Sequence, residues 1–119
     1  DIKSFLLDQR FVSGIGNIYA SEILFASKIN PSKKAKHLNV KECKKIILNS
    51  KKILLRAITR GGSSIRDFKD ISGVKGGFQN EFKVYHQEGK ICKRQGCKGI
   101  IKKKITLNRS TFFCVFCQK

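Results

Sequence analysis

Four cysteines crowd the last 28 residues, as Cys92-x4-Cys97 and Cys114-x2-Cys117 with 16 residues between the pairs. Two close pairs at the ends of a hairpin-length insert can bring four thiolates to one tetrahedral Zn²⁺. Such a site leaves no position open for chemistry. It is structural, and it holds together a segment with too little core to fold alone. An iron–sulfur cluster or a redox dithiol remains open for the same residues. A disulfide framework is the poorer reading, because "DIKSFLLDQR" shows no basic stretch leading into a long apolar one.

A second constellation lies upstream, where Gly14-Ile15-Gly16-Asn17 interrupts the apolar stretch "FVSGIGNIYASEILF". Glycine lets another molecule approach the main chain without meeting a Cβ. A helix starting after the turn directs backbone N–H groups and the positive end of its dipole outward, which suits phosphate. The amide of Asn17 can join the same anion; alternatively Asn17 only caps the helix and the glycines only turn a corner. Arg109, beside the expected turn of the cysteine hairpin, offers a guanidinium fork that matches phosphate oxygens. His37 and His86 have no companions at ligand spacing and are expected to be ordinary surface histidines. Cys43 falls on an apolar helix stripe and is expected to be a buried small hydrophobe.

Charge supports the phosphate reading. Among 119 residues, 26 Lys and Arg face 8 acidic side chains, a formal net charge of +18. A field of this sign favours polyanions, with nucleic acid first; a solvated basic surface is the plainer alternative. No apolar run approaches the roughly 20 residues that span a bilayer. A cytoplasmic, bacterial, nucleoid-associated monomer is expected.

The elements that must position these residues read as follows. Ile2, Phe5, Leu6 and Gln9 form a helical stripe. Asn17 stands as N-cap for a helix whose inward face is Ala20, Ile23, Leu24 and Ser27. A short helical turn follows Pro31 and runs through Leu38. Asn39 and Glu42 make a capping box for the longest helix. Its expected inward stripe is Val40, Cys43, Ile47, Leu54, Ala57 and Ile58, and Gly61-Gly62 ends it. "EFKVYH" alternates as a strand, and "IIKKKITL" partly does. The fold class is therefore α+β, with helices over 1–61, a glycine-rich loop over 62–78 and a small cysteine-bearing β-hairpin unit over 79–119.

Taken together, "LLDQRFVSGIGNIYASEILF", "GGSSIRDF", "GGFQNEFKVY" and "RSTFFCVFCQ" with the four cysteines resemble the C-terminal part of the bacterial formamidopyrimidine-DNA glycosylases. The resemblance covers nearly the whole chain in order. It implies a helix–two-turns–helix element gripping double-stranded damaged DNA, and a zinc-bound hairpin at the minor groove. By this resemblance Asn17 and Arg109 seat the phosphates that flank the lesion, beside the DNA-binding turn expected of Gly14 and Gly16, and Arg109 takes part in the final δ-elimination. Tyr85 matches a tyrosine near the phosphate backbone. Gly62, Ser63, Ser64 and Ile65 belong to the loop that folds over the extruded oxidised base. The reaction implied is a bifunctional glycosylase/AP lyase removing oxidised purines, with the pyrimidine-lesion branch as near rival. A non-catalytic DNA- or RNA-binding zinc module is the alternative in a different class.

Two departures from the family pattern stand out. The Cys92–Cys97 spacing is four residues where two are commonest, which is expected only to widen the knuckle. The family's N-terminal proline nucleophile and the glutamate after it have no counterpart at Asp1-Ile2, and the only proline is the internal Pro31. These residues are expected to hold DNA without cutting it alone.

Overall fold

The computed structural model describes residues 1–10, 14–59 and 81–119. The expected helix stop at Gly61-Gly62, the 62–78 loop with Gly62, Ser63, Ser64 and Ile65, and the boundary between the two units lie outside them.

Helix α1 (Ile2–Leu7) opens on Asp1, whose carboxylate accepts from the Ser4 N–H at 2.8 Å. Ile2 and Leu6 point inward as the stripe requires, but Phe5 is 41% exposed and Lys3 is buried beside them. Helix α2 (Asn17–Ala26) runs through the centre, in contact with α1, α3 and the hairpin. Residues 20–25 are all buried, so this helix has no solvent face to alternate with. Each fully buried Ile23 or Leu24 side chain contributes about 1.5–3 kcal/mol. Its cap differs from the expectation. Gly16, with an extended backbone, is the N-cap, no side chain caps the turn, and Asn17 is already helical.

A 3₁₀ turn (Ala35–His37) leads into helix α3 (Val40–Thr59). Asn39 caps it as expected, its Oδ1 accepting from the Glu42 N–H at 2.8 Å. Glu42 does not return the bond. Its carboxylate pairs with Lys33 at 2.8 Å and ties the helix start to the preceding loop. The inward face is Ile46, Ile53, Leu54 and Ala57, whereas Val40, Ile47 and Ile58 of the expected stripe are exposed. Cys43 is exposed too, contrary to the expectation of a buried hydrophobe. Apolar pairs at 46–47 and 54–55 give this helix two candidate stripes, and contact with α2 selects one.

Strands β1 (Ile101–Thr106) and β2 (Arg109–Cys114) form an antiparallel hairpin, with Ile101 opposite Cys114 and Thr106 opposite Arg109. "EFKVYH" is not a strand. Residues 81–86 run through bends into a turn, and the Glu22 carboxylate takes the N–H groups of Lys83, Val84 and Tyr85, each at 2.9 Å. One hydrophobic cluster lies among α1, α2 and α3. A second joins Phe25 and Ala57 of the helices to Phe82, Val84, Tyr85, Ile101 and Phe112. Helical and cysteine-bearing units thus share a core. Among the described residues, no helix is long and apolar enough to cross a membrane.

Candidate nucleic-acid interface and metal centre

All four ligand atoms of Cys92, Cys97, Cys114 and Cys117 lie within 4.8 Å of one another. The Cys92–Cys117 and Cys97–Cys114 sulfur pairs stand 3.9 and 3.7 Å apart. A tetrahedron with metal–sulfur bonds of ~2.3 Å has edges of ~3.8 Å, so the quartet has the size one Zn²⁺ needs. Backbone N–H groups turn toward it, from Arg94 to Cys92 Sγ at 3.5 Å and from Gly99 to Cys97 Sγ at 3.4 Å. Gly99 is required on steric grounds, since a Cβ there would sit 2.6 Å from Cys114 Sγ and from Phe116 Cβ. Without a cation, burial above all pushes the Cys92 thiol up to about 12 and raises that of Cys117, whereas at Cys114 hydrogen bonds outweigh burial and lower it. A bound metal would supply the charge that holds four sulfurs deprotonated at this spacing.

The longer first knuckle does more than widen. Arg94, inside it, lays its guanidinium 4.4 Å from the Phe25 ring centroid and donates Nη2–H to the Phe25 carbonyl near the C-terminus of α2. At the far end of the chain, buried Gln118 accepts from the Cys114 N–H at 2.8 Å and donates to the Ile29 carbonyl at 2.9 Å. Both contacts fasten the cysteine unit to the helices.

Gly14, Gly16 and Arg109 come together in one cleft of about 460 Å³, completed by Leu7, Gln9 and Ile15. The turn adopts φ +92° at Gly14, a left-handed conformation that glycine takes without penalty. Gln9 braces it, accepting from the Gly14 N–H at 2.9 Å and donating to the Ile15 carbonyl at 3.1 Å. The Gly14 N–H is therefore engaged, and what the turn offers a ligand is space and the uncapped start of α2. Asn17 stands behind the cleft. Its Nδ2 donates to the Ser110 carbonyl at 3.0 Å, and its Oδ1 accepts from Lys3 Nζ at 2.6 Å. Tyr85 does not line the cleft; it is buried, edge-on to Phe112 and stacked under the exposed His86. His37 is exposed.

Lys3 is the residue that sequence reasoning missed. From α1 its ammonium reaches Asn17, Thr111 Oγ1 at 2.7 Å and the Ser110 carbonyl at 3.2 Å, fixing the hairpin beside the start of α2. The available signal was its position three residues before Leu6, on the inward face. Burial, then the neighbouring Arg109, lowers its pKa from 10.5 to about 8. At neutral pH it keeps all three protons for its acceptors. Replacing it, as Lys3→Met, should cost about 1–3 kcal/mol by leaving those acceptors unpaired. That penalty should grow as pH rises from about 8 toward 10.5, where the unfolded wild-type chain holds a proton that the folded one has released. Urea titrations of both proteins across this range check it.

Two helices joined by a glycine turn, with a four-cysteine hairpin locked against the second, define a helix–two-turns–helix protein carrying a metal-ready hairpin. Residues 1–69 match the formamidopyrimidine-DNA glycosylase H2TH domain, and the chain belongs to that family. It is 47% identical over 118 residues to the formamidopyrimidine-DNA glycosylase of Roseobacter denitrificans, covering 99% of this chain and 42% of that protein. The fold is similar to a Lactococcus lactis FPG mutant in complex with Fapy-dG containing DNA, with TM-score 0.91 and 40% identity over 99% of this chain and 42% of that one. The MutM (FPG) protein of Thermus thermophilus gives TM-score 0.90 and 36% identity over 98% of this chain and 44% of that one. The chain thus spans about two fifths of the length of these relatives.

Proposed function

We propose that this chain is the DNA-gripping portion of a bifunctional DNA glycosylase/AP lyase that excises oxidised purines from double-stranded DNA in the bacterial cytoplasm. The observation that carries the reading is the cleft in which Gly14 and Gly16 of the helical unit meet Arg109 of the hairpin. A guanidinium facing a glycine turn at a helix start makes a seat for a backbone phosphate. Asn17 orders the seat from behind through Lys3 and Ser110. One structural Zn²⁺ on Cys92, Cys97, Cys114 and Cys117 holds the hairpin that presents Arg109. In the complete enzyme Arg109 also steadies the phosphate that departs in the final δ-elimination, and Tyr85 supports the hairpin near the phosphate backbone. Base release itself falls to residues outside this chain, so the chain alone binds without cutting, as a monomer.

Zinc-loaded protein should bind damaged duplex with an affinity that falls linearly in log K against log salt, because phosphate contacts release counterions. Arg109→Ala should weaken binding by about 1.5–3 kcal/mol, the range for a charged hydrogen bond, and flatten the salt slope by about one. Fluorescence anisotropy with abasic-site duplex, undamaged duplex and structured RNA checks this. Protein that is fully metal-loaded and ignores duplex at low ionic strength refutes the reading, and a preference for RNA moves it to the alternative class.

A further inference from the structure

The tip of the hairpin carries two costs that the folded protein does not recover. Thr106 pairs with Arg109, leaving Leu107 and Asn108 as a two-residue turn with φ +49° and +63°. Such primed turns want Gly, Asn or Asp at both positions. Asn108 fits. Leu107 does not, because a left-handed backbone brings its Cβ against the carbonyl that follows. Leu107 is also 77% exposed, and Ile105 just before it is 63% exposed. These are the two apolar side chains of a free end otherwise flanked by Lys102, Lys103, Lys104 and Arg109. A strained, solvated leucine at the tip of a basic hairpin is explained by what it meets in a complex.

The neighbourhood indicates what that is. Arg109 follows Leu107 by two residues and lines the cleft with Gly14 and Gly16. A phosphate seat with an apolar projection next to it matches a sugar–phosphate strand, where each anion is flanked by the C–H faces of deoxyribose and the base edges beyond. A free anion offers nothing to the leucine. An anionic membrane would place its phosphates in a plane, whereas the arginine here lines a concave cleft.

Resting on the function proposed above, we infer that Leu107, backed by Ile105, is an apolar contact that packs on the sugars and base edges of a DNA duplex beside the phosphate held by Arg109. This contact adds affinity without neutralising charge, which separates it from the phosphate seat.

The test uses zinc-loaded wild type, Leu107→Gly and Leu107→Asn against abasic-site duplex over a range of salt. Both variants suit the turn better than leucine, so the melting temperature should hold or rise. Duplex affinity should fall about tenfold, as expected from losing a buried leucine contact. The slope of log K against log salt should stay at the wild-type value, whereas Arg109→Ala flattens it. Unchanged affinity overturns the inference and leaves the functional reading intact. A flattened slope in the Leu107 variants also overturns it, since the loss would then come from a displaced Arg109. So does loss of binding to phosphatidylserine vesicles, or of self-association, with duplex binding preserved. Wild-type protein that ignores duplex refutes the functional reading and this inference with it.

Discussion

Stripping the metal from loaded protein should melt the cysteine hairpin while the cluster around Ile23 and Leu24 stays folded. The reason is the poverty of the hairpin's own interior. Among the described residues from 91 onward, the buried apolar side chains are Ile101, Phe112 and the sulfurs of Cys92 and Cys114. Two of the four belong to the candidate metal quartet. Once the ion leaves, the thiols reprotonate and the remaining contacts cannot offset the entropy of ordering the segment. Structural zinc in small domains supplies about 10 kcal/mol or more of apparent folding free energy, well beyond any single contact here. Cys114→Ser should reproduce the effect at saturating zinc. Amide hydrogen exchange is the direct readout: protection should vanish over β1 and β2 and persist in α2. Hairpin amides that stay protected in metal-free protein would show that the quartet is not what holds the fold.

The second large effect is expected at Glu22. This carboxylate is 5% exposed and accepts three backbone N–H groups, from Lys83, Val84 and Tyr85, each at 2.9 Å. Glu22→Ala strands all three donors in the shared core and should cost about 3–5 kcal/mol. Glu22→Gln keeps the shape but replaces one acceptor oxygen with a donor, so it should recover only part of that loss. Denaturant unfolding at constant m value measures both. A cost below about 1 kcal/mol for Glu22→Ala would mean that water or a rearranged turn satisfies the donors. Acid is the wrong probe for this site. Burial holds the Glu22 carboxyl above its ordinary value against the pull of the three N–H groups. The folded state therefore binds that proton more tightly than the unfolded chain does. This group's contribution is greatest in acid and declines as pH rises through the raised value.

What could be read from sequence divides along the range of the interactions. The cysteine quartet, the glycine turn, the Asn39 cap and the position of Arg109 beside a hairpin turn are set by neighbours within a few residues, and spacing exposed them. Lys3, Glu22 and Gln118 owe their roles to partners far along the chain, from Ser110 for Lys3 to Ile29 for Gln118. Apart from the place of Lys3 on the inward face of α1, nothing local marks such residues as more than polar. The helix α3 stripe failed for a different reason. Apolar side chains occur on two of its faces, and only packing against α2 decides which is inward. The apparent strand at 81–86 arose because Phe82 and Val84 are buried around an exposed Lys83. That alternation is real, but it comes from a turn wrapped around a carboxylate.

The fastenings between the two units have a mechanical consequence. Lys3 spans α1, α2 and β2, Glu22 pins the entry to the cysteine unit, Arg94 braces its first knuckle, and Gln118 secures its exit. With restraints at four separate points, the jaw formed by the glycine corner and Arg109 is a fixed gauge. Under the function proposed above, any compliance needed to fill it must come from the guest, so a duplex already limp at a damaged step should fit more cheaply than an intact, stiff one.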